Sequence, residues 1–236
     1  MELITNTLKP IPILKSYDLM QKRQGYILVV NDCDLEQAVS QLLEAGFWRA
    51  GWSWGSCDPA KLERMGDQAK KIHQRIIPQY ADIDNNSVRF AFPQASAGLR
   101  NDLVALVSPS FVGLAPPLRE AEGATTSAAA AATDFTCVDG FLYYPHLQVL
   151  LESLIRTRLR LPEDDHGMWA DMLEVWAIPY LWTHTMAPED ILDGIEDERV
   201  KEWFNRETKR FEGGIDRVTI TKRRGKVSTR PPDASI

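Results

Sequence analysis

Tyr26-Ile27-Leu28-Val29-Val30-Asn31-Asp32-Cys33-Asp34-Leu35 is the stretch on which the fold turns. Five apolar residues in a row, rich in β-branched side chains, predict a buried strand. Asn31 to Asp34 supply short polar side chains of the kind that cap a helix. Leu35, Ala38, Val39, Leu42 and Leu43 then fall at i, i+3, i+4, i+7 and i+8, the face of an amphipathic helix, and Gly46 stands where the chain leaves it. Leu103-Val104-Ala105-Leu106-Val107 is a second unbroken apolar run, and two such strands predict a sheet covered on both faces. Phe47 to Ala50 read as a short return strand. Val88 to Phe92 read as an alternating strand that Pro93 stops.

The fold class expected is therefore α/β (α+β): a small mixed sheet with flanking helices, followed by a helical C-terminal half. Pro10 and Pro12, interleaved with Ile11, Ile13 and Leu14, suggest an extended arm at the start. Asp58-Pro59 reads as an N-cap followed by proline at the first helical position. Residues 115–134 hold Pro116-Pro117, Thr125-Thr126-Ser127 and five consecutive alanines, a low-complexity loop. Beyond it, Phe141 to Pro145 lead into a helix carrying Leu147, Leu150, Leu151, Leu154 and Ile155. A second helix from Met168 meets Pro179, which should kink or split it. A third, short helix starts at Pro188. A fourth covers 197–211, with Val200, Trp203, Phe204 and Glu207 at helical intervals. Residues 217–229 alternate like a basic hairpin. The organisation expected is 1–114 α/β, 115–136 linker, 137–214 helical, and 215–236 basic hairpin and tail.

The formal net charge of −6 is unevenly spread. From Arg217 onward six Lys/Arg face one acid, leaving 21 basic and 32 acidic residues in the rest. An acidic body disfavours nucleic-acid binding, except through the basic tail, which has an acidic partner or its own body as further choices. No apolar run approaches the ~20 residues of a membrane helix. The first residues show no secretory pattern. Cys33, Cys57 and Cys137 fit neither a disulfide framework nor a metal pattern, so a reducing compartment, cytoplasmic or nuclear, is expected.

The richest chemistry lies in Gly51-Trp52-Ser53-Trp54-Gly55-Ser56-Cys57-Asp58. Ser53 and Ser56 offer hydroxyls to a phosphate, Gly55 lets backbone approach closely, and Trp52 and Trp54 can stack on a ring. The same composition fits a Trp-anchored loop that closes the edge of the core. On a strand, Asp82 and Asp84 would share one side and one Mg²⁺, with Asp102 as a third carboxylate for phosphoryl or nucleotidyl transfer. The alternative is a turn, which Asp82-Ile83-Asp84-Asn85-Asn86 also favours. Arg89, among apolar strand residues, is either an anion ligand or the partner of a buried acid. His73, His146, His166 and His184 show no zinc-ligand spacing.

Trp52-Ser53-Trp54-Gly55-Ser56-Cys57-Asp58-Pro59, Val88-Arg89-Phe90, Phe92-Pro93, Tyr143-Tyr144-Pro145 and Leu150-Leu151-Glu152-Ser153 together resemble a group of small uncharacterised proteins of filamentous fungi. The N-terminal half of that group is similar to the nucleotidyltransferase fold, over about residues 26–110 here. The resemblance implies a mixed sheet with helices and a helical C-terminal half, and no established activity. Gly55-Ser56 and Asp82-Ile83-Asp84 match the Gly-Ser loop and the paired acids of active nucleotidyltransferases. Here they are separated by 26–27 residues and an expected helix, which points to a degenerate relative. The expected function is non-catalytic nucleotide or small-molecule binding through Trp52, Ser53, Trp54, Gly55, Ser56 and Arg89. The alternatives are a Mg²⁺-dependent nucleotidyltransferase using Asp82, Asp84 and Asp102, and an interaction module acting through the basic tail.

Overall fold

The computed structural model describes residues 2–14, 25–93, 103–117, 134–165 and 167–212. Helix α1 (Glu2–Leu8) and strand β1 (Ile13–Leu14) come first, then β2 (Gly25–Val30), α2 (Leu35–Glu44) and β3 (Trp48–Arg49). Next are α3 (Pro59–Arg64), α4 (Asp67–Ile76), α5 (Ala81–Asn85), β4 (Ser87–Ala91), β5 (Leu103–Val107) and α6 (Pro109–Val112). They are followed by β6 (Phe135–Val138), β7 (Leu142–Pro145), α7 (Leu147–Arg160), α8 (Met168–Val175), a π-helical continuation over Trp176–His184, and α9 (Glu198–Glu212).

All seven strands form one mixed sheet in the order β3-β4-β5-β2-β1-β7-β6. The two apolar runs lie side by side and parallel, with Tyr26 opposite Val104 and Val29 opposite Val107. β1 is parallel to β7 and antiparallel to β2. Because side chains alternate along a strand, the central strands feed two cores. Leu28, Val30, Phe90, Val104 and Leu106 meet Ile4 and Leu8 of α1 and Ala38 and Leu42 of α2. Ile27, Val29, Leu103, Ala105 and Val107 belong to the larger core, with Leu151, Leu154, Trp169, Leu173, Trp176 and Trp203. The sheet is thus covered on both faces, as its two unbroken apolar strands require.

Gly46 leaves α2 at φ +85°, a conformation that only glycine adopts without strain. Asp58 caps α3, its Oδ1 accepting the Ala60 N–H at 2.7 Å, with Pro59 behind it. The extended arm expected over Pro10–Leu14 carries β1, Ile13–Leu14, paired on both sides in the sheet, and it is preceded by a helix that the sequence did not show, anchored by Ile4 and Leu8 one turn apart. Phe135–Val138 and Leu142–Pro145, in the region expected to be helical, form an antiparallel pair that extends the sheet. Pro188 opens a run of turns rather than a helix, held by bonds such as Ile191 N–H to Pro188 O at 3.2 Å. Pro179 neither breaks nor splits its helix. The coil widens around it, and the Thr183 hydroxyl donates to Ile178 O at 3.0 Å, satisfying one carbonyl of the widened turn. The expected basic hairpin and tail, most of the low-complexity loop, His166 and Asp102 lie outside the described residues. Among the described residues no helix is long and apolar enough to cross a membrane.

Candidate functional site

The Gly51–Asp58 loop follows β3 and packs inward. Trp54 is 4% exposed and Cys57 3%, both within the core, while Trp52 is partly buried against it. Apart from the indole N–H groups of Trp52 and Trp54, which are buried without a hydrogen-bond partner, the side-chain and backbone groups of the loop hold its shape. Ser53 Oγ accepts the Gly55 N–H at 3.2 Å, and Ser56 Oγ lies 3.3 Å from His73 Nδ1. Trp54 N–H donates to Asp84 Oδ1 at 2.7 Å. Gly55 is required because Tyr80 lies where a side chain would be: a Cβ there would sit 2.1 Å from a Tyr80 ring carbon.

Arg89 ties this loop to the helical turn beside it. Its Nε donates to Trp52 O at 3.1 Å and its Nη1 to Asp84 O at 2.6 Å, and Nη1 also lies 3.1 Å from Asp84 Oδ1. Both side chains are largely buried, at 13% and 15% exposure. Arg89 is thus the partner of a buried acid, and that acid is Asp84. Glu152 pairs instead with Arg156 at 2.6 Å, one turn along α7.

The strand reading of Asp82-Ile83-Asp84 does not hold. The three residues lie in α5, closed by Asn86 Nδ2 donating to Asp82 O at 2.8 Å and Ser87 Oγ donating to Ile83 O at 2.6 Å. Burying Ile83 while the Asn85-Asn86 pair turns the chain favours a helical turn over an extended strand. On a helix, residues two apart diverge by roughly 200°. Asp84 therefore turns to Arg89 and the loop. Asp82 turns to the segment after α7, its Oδ2 3.7 Å from where a Gly167 side chain would begin. Burial, and then the nearby Asp165 carboxylate, hold the Asp82 carboxyl above its ordinary value of 3.8. The two acids do not share a cation. Among the described residues no group of three His, Cys, Asp or Glu side chains is arranged to hold a metal ion.

A different concavity is open to a ligand. It lies between the end of α7, the segment that follows it, α8 and α9, and has a volume of ≈ 700 Å³. Arg158 forms its floor, only 8% exposed, with Nε donating to Glu174 Oε1 at 3.0 Å and Nη1 to Pro162 O at 3.1 Å. Trp203 and Glu207, each 4% exposed, enter from α9. Arg206 Nε donates to Glu207 Oε1 at 3.3 Å at the rim. With Glu163, Asp165 and Asp171 the lining among the described residues comes to five carboxylates against two guanidiniums, Glu174 being paired with Arg158 and Glu207 with Arg206.

No protein-family model, curated protein or solved structure matches this chain. What the site does must follow from its own chemistry. The residues named from sequence converge on a packed joint: Trp52, Ser53, Trp54, Gly55, Asp84 and Arg89 hold one another, Ser56 leans on His73, and Asp82 stands apart. The groove was not named from sequence. Its clearest signal was Glu207, a carboxylate on the apolar stripe of α9 with Val200, Trp203 and Phe204. A charge in that position demands a polar neighbourhood inside the fold.

Proposed function

We propose that this chain is a non-catalytic binding protein and that the groove of Arg158, Glu174, Trp203 and Glu207 takes a small organic cation. The observation that carries the reading is the excess of carboxylates around a buried carboxylate and an indole. A guanidinium or ammonium group gains charge-assisted hydrogen bonds from carboxylates and attraction from an aromatic face. A nucleotide would bring its phosphates against five carboxylates. Two such hydrogen bonds and one aromatic contact amount to roughly 4–8 kcal/mol, and the cost of association comes off that sum, which places affinity at about the millimolar level or weaker. The mixed sheet with helices on both faces supports the nucleotidyltransferase-like architecture that the sequence suggests. The divergence of Asp82 and Asp84 supports reading it as a degenerate, non-catalytic form. The free thiols of Cys33, Cys57 and Cys137 support a reducing compartment, cytoplasmic or nuclear.

The test is thermal stabilisation with arginine amide, spermidine, AMP and ATP at low salt. Arginine amide should raise the melting temperature of the wild type and not that of Glu174→Gln/Glu207→Gln. Stabilisation by AMP or ATP in preference to the cations would reject this reading.

A further inference from the structure

We infer that the groove has an occupant within the same polypeptide: the basic C-terminal segment, residues 215–230. The inference rests on the groove being a cation site. Three observations lead to it. The first is charge. Arg217, Lys222, Arg223, Arg224, Lys226 and Arg230 stand against the single acid Asp216 in that segment. The groove presents five carboxylates against two guanidiniums. The two are opposite in sign.

The second is continuity. Trp203, Arg206 and Glu207 line the groove from α9, and α9 runs on to Glu212. From Glu207 the helix covers about 7.5 Å to its end. The ten residues from there to Lys222 span at most ~35 Å when extended. Chain connectivity therefore keeps the basic residues within reach of the groove, and a short tether gives an effective concentration on the order of millimolar. An interaction too weak to hold two separate molecules is strong enough in this arrangement.

The third is access. The rim acids are the exposed ones: Glu163 has a side-chain exposure of 93%, and Asp171 is also exposed, whereas Glu207 is buried. A long Lys or Arg side chain can reach the rim carboxylates without opening the core, and its stem can lie along the Trp203 and Leu161 side of the lining. The segment then competes with a free cation for the groove, which makes it an internal inhibitor of ligand binding.

The test uses the full chain, a chain ending at Gly214, and a synthetic peptide of residues 215–230, studied by calorimetry at 20 mM and 300 mM salt. The peptide should bind the shortened chain at low salt. It should bind at least tenfold more weakly at high salt, or when Glu163→Gln, Asp165→Asn and Asp171→Asn are combined, a set of changes at the rim that leaves the half-buried Glu174 and the buried Glu207 untouched. Arginine amide should bind the shortened chain several-fold more tightly than the full chain. If arginine amide binds both chains equally and the peptide does not displace it, the internal occupant is overturned while the cation site stands. If the peptide binds in a groove-dependent way and arginine amide does not bind either chain, the small-cation reading falls and the internal occupant stands. If the peptide binds the rim variant as well as the wild type, it sits elsewhere and the inference is wrong. Far-ultraviolet circular dichroism of the rim variant establishes that it is folded in each comparison.

Discussion

Arg89 shows how one side chain can replace a ligand site with a joint. It reaches backbone carbonyls on both sides, Trp52 O and Asp84 O, and the Asp84 carboxylate as well. Removing one member of a buried ion pair leaves the other charged in a dry environment, at a cost of about 3 kcal/mol or more. Arg89→Met should therefore lower the melting temperature by roughly 6–12 °C, as thermal unfolding would measure. A change below 2 °C would mean that the loop holds without it. Asp82 makes the opposite case. Its folded carboxyl is held above 3.8 by burial and by Asp165, so the folded state binds its proton more readily than the unfolded state. The stability this linkage adds is complete below pH 3.8 and is lost as pH rises through the folded value. Asp82→Asn should then melt higher than wild type at pH 7, with the two converging on acidification to pH 3.5. An identical melting temperature at pH 7 would remove Asp165 as a repulsive neighbour.

Among the elements, those readable from sequence are those whose residues decide for themselves. Tyr26–Val30 and Leu103–Val107 are apolar throughout and have no face to leave in water, so their assignment to buried strands needs no context. Asp58-Pro59 and Gly46 mark helix ends by local geometry alone. Asp82–Asn85 was ambiguous because a two-residue carboxylate spacing carries meaning only once strand or helix is known, and Ile83 alone selected the helical turn. β6 and β7 pair locally across the turn at Asp139 and Gly140, both at positive φ, a signal the sequence carried; only the further pairing of Leu142 and Tyr143 with Ile13 and Leu14 joins residues far apart in sequence. The groove was hidden because Arg158, Glu174 and Glu207 belong to three helices, and only packing brings them together. The contact between α6 and α7 shows how such packing is fixed. Ser153 Oγ and Thr157 Oγ1 each donate to Val112 O at 2.8 Å, both buried. Ser153→Ala or Thr157→Val alone leaves that carbonyl one donor. The double variant leaves it none and should lose about 2–3 kcal/mol, more than the sum of the single losses. Additive losses in a chemical-denaturation cycle would show that the two hydroxyls act independently.

In the whole molecule the two cores share one sheet, and the sheet is made from both ends of the described chain. The larger core takes Ile27 and Val29 from β2, Leu103, Ala105 and Val107 from β5, and the tryptophans of α8, its π-helical continuation and α9. The sequence divides near the low-complexity loop, yet β6 and β7 lie beyond that loop and close one flank of the sheet. The composition shift at 115–134 marks a long connection within one structure, because a loop can change in character without the core beneath it ending.

β1 is two residues long, and it joins the flank made of β7 and β6 to the rest of the sheet. Ile13 and Leu14 face Val30 and Val29 on one side and Leu142 and Tyr143 on the other. During synthesis the strand that completes their second edge is made about 128 residues after Leu14. At ~5–20 residues per second that is a wait of roughly 6–26 s. Through that interval the nascent chain carries a half-paired strand of bare Ile and Leu beside Pro12, whose missing N–H makes it a poor template for a stray strand. Pro12, one of the two prolines that suggested an extended arm, thus makes Ile13–Leu14 a poor template for a stray strand until Leu142 and Tyr143 are made.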